Sequence, residues 1–234
     1  MYFIGEVINM FSERASGFAE SVDYVMLFIV GASVILLLGI TIAMIYFVIR
    51  YSKKRNPIAS QIHGNTILEV LWIVIPTILV LVMFYFGYIV FEQSRVVPKG
   101  ALNVKVIARM WSWQFEYQNG KKSDTLFLPL NKSVKLGLVS MDVNHAFFVP
   151  AFRIKEDVMS GRQNYLVINP SKRGEFDILC AEYCGLNHSI MFAKLKVVSS
   201  DEFKNWLSKS VPTAQKVSST DTTNEHSENS MKNY

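Results

Sequence analysis

Two long runs without a charged side chain constrain this sequence more than any other feature. Residues 25–49 form the first and residues 70–91 the second. Each is long enough, as a helix, to cross a hydrocarbon core of about 30 Å. Gly31, Ala32, Ser33 and Gly39 in the first run are small enough to let a neighbouring helix approach closely. Pro76 interrupts the second run. It would argue against a helix in water, but membrane helices tolerate proline where neighbours satisfy the freed carbonyl. The reading is two membrane spans.

Between the runs stand Arg50 and the cluster Lys53-Lys54-Arg55. Basic loops stay on the cytoplasmic side, which places both termini on the outer, periplasmic face of a bacterial-type inner membrane. Residues 1–23 are mixed and amphipathic, with Glu6, Glu13, Arg14 and Glu20. They lack a basic start leading into an apolar run and a small-residue cleavage site, so no signal peptide is expected.

After the second span the pattern changes. Leu102, Val104 and Val106 alternate with Asn103 and Lys105, the period of a half-buried strand. Further strands are predicted at 113–117, 125–128, 134–139, 145–149, 165–169, 175–179 and 192–198. Asn119-Gly120, Asn169-Pro170 and Arg173-Gly174 supply turns. Short strands at this spacing predict a sandwich or barrel. A short amphipathic helix follows, with Ser200 as its expected cap and Phe203, Trp206 and Leu207 on its apolar face. Beyond residue 209 the Ser/Thr/Asn/Lys-rich sequence has almost no large apolar side chains and is expected to be a flexible tail; His226 lies in it. The expected organisation is an extramembrane segment (1–24), a two-helix hairpin (25–92), a β domain with a short helix (93–209) and a tail (210–234). A net charge of +5, without a Lys/Arg stripe interleaved with aromatics, gives no reason to expect nucleic-acid binding.

The chemistry concentrates in Cys180-Ala181-Glu182-Tyr183-Cys184-Gly185-Leu186-Asn187-His188-Ser189-Ile190-Met191. Twelve residues offer two thiols, an imidazole and a thioether, and a second imidazole, His145, lies on a predicted strand upstream. Soft thiolate and thioether ligands together with imidazole favour copper. A mononuclear blue-copper site uses one cysteine, so a second thiolate is one too many. Two thiolates can instead bridge two copper ions, each completed by one histidine, with Met191 and a backbone carbonyl as weak axial ligands. Such a site keeps no position open for a substrate, which suits electron relay rather than bond-making. The alternatives are a disulfide between Cys180 and Cys184 and a Cys2His2 zinc site. Neither accounts for a methionine three residues past the histidine, nor for the membrane hairpin.

With these residues in view, the chain resembles subunit II of cytochrome c oxidases up to about Leu207. The resemblance rests on the twelve-residue segment above, on Asp142-Val143-Asn144-His145 and on Val149-Pro150-Ala151-Phe152-Arg153-Ile154-Lys155. It implies a transmembrane helical hairpin followed by an all-β cupredoxin (Greek-key) domain. It implies a binuclear copper A centre held by His145, Cys180, Cys184, His188, Met191 and the backbone carbonyl of Glu182. The Glu182 side chain would face the catalytic subunit and help hold magnesium, a hard cation that takes carboxylate oxygen. Trp111, in the run Trp111-Ser112-Trp113-Gln114-Phe115-Glu116-Tyr117, corresponds to the surface tryptophan that receives the electron, while Trp113 is expected in the core. Arg109-Met110 stands where Gly-His-Gln often precedes that tryptophan. Glu69, beside Trp72, resembles an acid near the mouth of a proton pathway, although an acid at a helix start is also simply favoured by the helix dipole.

The resemblance also implies partners: the haem–copper subunit I, where oxygen is reduced and protons are pumped, subunit III, and a cytochrome c-type donor. Glu116, Asp142 and Asp157 match acids that attract basic cytochrome c in relatives. From Arg95 to Lys209, however, Lys and Arg outnumber Asp and Glu, so long-range steering of a basic donor is expected to be weak. An acidic, tethered or complex-bound donor is the expectation. Two other functions compete: the copper A subunit of a nitric-oxide reductase, and a membrane-anchored copper chaperone or thiol oxidoreductase using C-x-x-x-C. The second is expected to show one span and a thioredoxin-like α/β pattern. Relatives in quinol oxidases lack the copper ligands that are all present here. No C-x-x-C-H marks a fused cytochrome within these residues.

Overall fold

Helix α1 spans Gly17–Arg50 and α2 spans Thr66–Arg95 in the computed structural model, which describes residues 14–58, 61 and 63–209. The expected tail, with His226, and the first thirteen residues lie outside the described residues. Both helices are apolar on every side, with most apolar side chains turned outward, as a lipid-facing hairpin requires. Phe28 meets Phe86 edge to face, with ring centroids 6.0 Å apart, where the two helices touch. Next to Pro76, the Thr77 hydroxyl donates to the Ile73 carbonyl (2.7 Å), supplying a local partner beside the break in the helical ladder. Asn65 caps α2 by accepting from the Ile67 and Leu68 N–H groups.

Ten strands follow. They are β1 (Leu102–Arg109), β2 (Ser112–Tyr117), β3 (Lys122–Ser123), β4 (Thr125–Pro129), β5 (Val134–Ser140), β6 (His145–Val149), β7 (Ile154–Val158), β8 (Asn164–Ile168), β9 (Gly174–Cys180) and β10 (Phe192–Val198). They form two five-stranded sheets, β3-β2-β1-β5-β8 and β4-β10-β9-β6-β7. The pairs β1/β5 and β4/β10 are parallel and the others antiparallel. Chain neighbours are repeatedly separated into different sheets, giving the Greek-key sandwich of the cupredoxin class that the sequence predicts. The alternation read in β1 holds: Val104 and Val106 are buried and Asn103 and Lys105 exposed. Phe115, Phe147, Phe152, Leu126, Leu136 and Leu195 fill the space between the sheets. Each such side chain contributes on the order of 1.5–3 kcal/mol by leaving water.

Helix α3 (Ser200–Ser208) closes the domain, and its cap differs from expectation. Ser199, not Ser200, is the cap. Its hydroxyl accepts from the Glu202 N–H at 3.2 Å and the Glu202 carboxylate returns to the Ser199 N–H at 2.9 Å. This reciprocal pair fixes the boundary one residue earlier. Phe203 is buried, while Trp206 and Leu207 pack on the core edge, with Trp206 stacked on Phe127 at 4.3 Å.

The membrane helices begin and end beyond the uncharged runs. The absence of charge marks the lipid-embedded part of a helix, not its termini, and α1 starts eight residues before the first run. That extra length docks on the sandwich. The Ala15 N–H donates to the Ala151 carbonyl (2.9 Å), the Ser171 N–H donates to the Ala15 carbonyl (2.8 Å), and Ser16 caps the helix. Asp23, about two turns further on, is wholly buried and accepts from Arg14 (2.8 Å) and from Arg153 (2.9 Å). At the other attachment Arg95, in the last turn of α2, donates to Glu156 (2.8 Å) and to the Tyr165 carbonyl (3.0 Å).

A buried carboxylate between two guanidinium groups is costly to disrupt from one side, because a charge is left without compensation. Asp23→Asn is expected to destabilise the full chain in detergent by about 3 kcal/mol, the lower end for a broken buried pair. The loss would be read as a fall in melting temperature. An unchanged melting temperature would mean that this cluster does not hold the domain to α1.

Candidate metal centre

The site forms where two distant pieces of chain meet on one sheet. Strand β6 pairs with β9, setting Phe147 opposite Cys180 and Phe148 opposite Leu179. His145 at the start of β6 therefore lies beside the end of β9. The β9–β10 connection is gathered at its neck, where the Cys180 N–H donates to the Met191 carbonyl (3.2 Å) and the Ala181 N–H to the Ala146 carbonyl (3.0 Å). Within the loop a 3-10 turn, His188–Ile190, brings His188 and Met191 back towards the cysteines. Local spacing delivers four of the side chains and sheet register delivers the fifth.

The resulting contacts run in sequence around the centre. Cys180 Sγ lies 3.9 Å from His145 Nδ1 and 3.8 Å from Cys184 Sγ. Cys184 Sγ lies 3.6 Å from His188 Nδ1 and 3.7 Å from Met191 Sδ. The Glu182 carbonyl oxygen is 3.3 Å from Cys180 Sγ. Both cysteines are free, and their separation is far beyond a disulfide bond. One ligand atom from each of His145, Cys180 and Cys184 falls within a single 4.8 Å group. His145, Cys184 and Met191 are buried, and Cys180 and His188 are half-buried. Burial, and then the neighbouring Cys180, push the Cys184 thiol up to about 11. A cation between the sulfurs reverses that penalty, since a coordinating thiol gives up its proton.

Of the residues singled out from sequence, His145, Cys180, Cys184, His188, Met191 and the Glu182 carbonyl converge. The Glu182 side chain does not; it points to solvent. Trp111 is half-buried directly above the centre, and its indole Nε1–H donates to the Cys184 carbonyl at 3.2 Å. Gly185, at φ +113°, lets the loop pass beneath that ring; a Cβ there would stand 3.4 Å from the indole in a conformation L residues rarely adopt. Trp113 lies in the core, edge-on to Phe147 (5.6 Å) and His145 (6.2 Å). Glu69 is elsewhere, exposed in the first turn of α2 at the far end of the hairpin.

Asp142, which matches an acid that attracts a basic donor in relatives, has local partners for its carboxylate. It accepts from the Met110 N–H (2.7 Å), from the Val143 N–H (2.7 Å) and from His145 Nε2 (2.9 Å). Partial burial pushes its pKa up, yet the Met110 N–H, the His145 ring and the Val143 N–H together outweigh this and hold it below the ordinary aspartate value. By occupying Nε2 it leaves Nδ1 of His145 as the nitrogen that faces Cys180. The Asp-x-x-His spacing is the signal that carried this in the sequence.

Comparison with known proteins places the whole arrangement. Residues 121–198 match the family model of the periplasmic domain of cytochrome c oxidase subunit II, and residues 6–89 match that of its transmembrane domain. The first match contains every converging side chain at the centre but not Trp111. A probable cytochrome c oxidase subunit 2 of Rickettsia conorii is 26% identical over 227 residues, covering 87% of this chain and 72% of the relative. An alternative cytochrome c oxidase subunit 2 of Bradyrhizobium diazoefficiens is 31% identical, covering 72% of this chain and 73% of the relative. Among solved structures, the periplasmic domain of subunit II of the cytochrome oxidase of Bradyrhizobium japonicum is 32% identical. It aligns over 48% of this chain and 94% of its own, with a TM-score of 0.45.

If Asp142 orients His145, Asp142→Ala lowers copper affinity by about 10–100-fold, the usual cost of losing a partner that orients a ligand. Competition titration against a copper chelator measures it. Unaltered affinity would leave Asp142 a local structural acid with no hold on the ligand.

Proposed function

Because this chain belongs to the cytochrome c oxidase subunit II family, we propose that it takes electrons from a cytochrome c-type donor at a binuclear copper centre and passes them to haem in subunit I. Oxygen reduction and proton pumping belong to that partner. The observation that carries the reading is the donor set: two unbridged thiols 3.8 Å apart, each with its own imidazole at 3.6–3.9 Å, and a thioether on one of them. Soft sulfur plus imidazole fits copper, and two thiolates flanked by separate histidines fit two ions rather than one. Held there, a copper pair supplies one-electron uptake and release.

The protein's own share is to hold those ligands still. His145 is fixed by Asp142, Cys180 by β9, and the loop by its neck and by the 3-10 turn. Small ligand movement between oxidation states keeps the barrier to electron transfer low, and a buried, sheet-anchored site provides that. Trp111, half-exposed and bonded to the backbone of the ligand Cys184, forms a short covalent and hydrogen-bonded route from the surface to the centre. Around it, Met110, Met141 and Val143 are exposed. With Asp142 turned inward and basic residues in excess, we read the donor as docking through apolar contact, and as acidic, tethered or complex-bound.

In the same reading, the exposed Glu182 carboxylate faces subunit I and offers oxygen to magnesium, a hard cation. The basic loop after α1 lies in the cytoplasm and the β domain on the periplasmic side of a bacterial inner membrane. Glu69 then sits at the cytoplasmic end, beside the proton pathway of subunit I, and subunit III completes the core complex. The two spans and the β-sandwich argue against a thioredoxin-like copper chaperone or thiol oxidoreductase. The nitric-oxide reductase alternative has no feature of this chain in its favour, whereas the relatives above are oxidase subunits.

The deciding experiment is copper content and electron paramagnetic resonance on the full chain expressed with copper. Two coppers per chain sharing one unpaired electron are expected. One copper, zinc, or a Cys180–Cys184 disulfide would defeat the proposal. In the assembled oxidase, Trp111→Phe should keep both coppers and their spectrum while slowing reduction by the donor, since it removes the indole N–H that links the half-exposed ring to the Cys184 carbonyl. Reduction at the parent rate would take Trp111 out of the route.

A further inference from the structure

At the top of the hairpin, where α1 and α2 run into the sandwich, a cleft of about 500 Å³ opens. Its walls come from three places. From α1 come Phe18, Val22, Val25, Met26 and Ile29, and from α2 come Gly87, Val90, Phe91, Ser94 and Arg95. Both sets recur at helical spacing, so each is one face of its helix. The roof is β7 and β8.

The lining is graded along the membrane normal. The slot between the helices is largely apolar, and Val25, Met26 and Ile29 on α1 with Gly87, Val90 and Phe91 on α2 lie within the uncharged runs, at the depth of acyl chains. The part under the sandwich carries Arg95, Arg153, Lys155 and Glu156, at the depth of headgroups. Glu156 is already satisfied by Arg95 (2.8 Å) and by the Asn164 amide (2.9 Å), and Arg153 is engaged with Asp23. Lys155 is different: it is exposed and has no acidic partner among the described residues. With Arg14 included, four cations stand against Asp23 and Glu156, and the surplus is positive. An apolar slot topped by surplus positive charge complements an amphiphile with a negative head. A neutral apolar helix would bury Lys155 without a counter-charge.

We propose that this cleft is a binding site for an anionic phospholipid of the outer leaflet. An acyl chain lies in the slot beside Gly87, where no side chain intrudes, and the phosphate meets Lys155 at the rim. The lipid fills the wedge that α1, α2 and the sandwich leave between them, and it joins the anchor to the domain at the membrane surface.

Two substitutions separate the parts of the site. Gly87→Leu places a side chain into the slot; its Cβ meets no heavy atom within 4 Å and its backbone is helical, so the fold should tolerate it. Lys155→Gln removes the surplus charge and leaves the slot. The assembled oxidase would be purified in mild detergent, exchanged with phosphatidylglycerol or phosphatidylcholine, and analysed by native mass spectrometry for lipid retained on this subunit. Phosphatidylglycerol should be retained over phosphatidylcholine. Lys155→Gln should weaken that retention about fivefold, the worth of one basic residue at an anionic membrane surface. Gly87→Leu should reduce retention of both lipids. Equal retention of the two lipids in the parent, or retention unmoved by both substitutions, would overturn the proposal. The second result is what a helix of another subunit filling the cleft would give.

Discussion

Two residue pairs, Phe147 with Cys180 and Phe148 with Leu179, join β6 to β9, and the metal centre depends on that seam. The ligands belong to segments 35 residues apart, His145 and Cys180, which no local interaction can hold together. Side chains in a strand alternate between faces, so a slip of one residue would send Cys180 to the opposite side of the sheet from its present neighbours. What prevents the slip is the core. Phe147 is fully buried against Trp113, and Ile178 on β9 is fully buried as well. The apolar pattern between the sheets thus fixes the register of a site that contains few of those apolar residues. Packing energy, spent over the whole sandwich, is what holds thiols and imidazoles at contact distance without a bond between them.

The extent to which this was legible in the sequence varies with how local each feature is. Strands whose apolar residues alternate are legible: β5 is read one residue short, at 139, and the alternation in β1 runs from Leu102 to Val106 before buried Ile107 and Ala108 break it. Strand β7 was not, because Ile154-Lys-Glu-Asp-Val158 has only its ends buried and reads as a polar link. Strand β3, at two residues, carries no pattern at all. The order of strands in each sheet is set by contacts between distant segments, and no periodicity records it. The ligand loop was legible because its spacing is local. The restraint on His145 by Asp142 was not read, because both a donor-facing acid and a ligand-orienting acid fit the same Asp-x-x-His string.

The same distinction explains the charge pattern at the surface. A list of acids suggests an attractive face for a basic protein, but an acid held by local donors or paired with a nearby base is less available to a partner. Asp142 has three such partners, and Glu116 lies 3.9 Å from Lys122. What remains exposed near Trp111 is largely apolar, Met110 and Met141 foremost. A contact made on those side chains draws on shape and on water release.

The attachment of the sandwich to its anchor has a further consequence. A domain joined to a membrane helix by one flexible strand sweeps out a cone, and its redox centre visits a range of heights and tilts. Here the chain is pinned where it enters α1, through Ala15 and Asp23, and again where it leaves α2, through Arg95. Two fixed feet remove the swing. Tunnelling rates fall steeply with separation, and the position of this centre relative to its own hairpin is settled when the chain folds. Delivery of electrons then needs no motion of this domain.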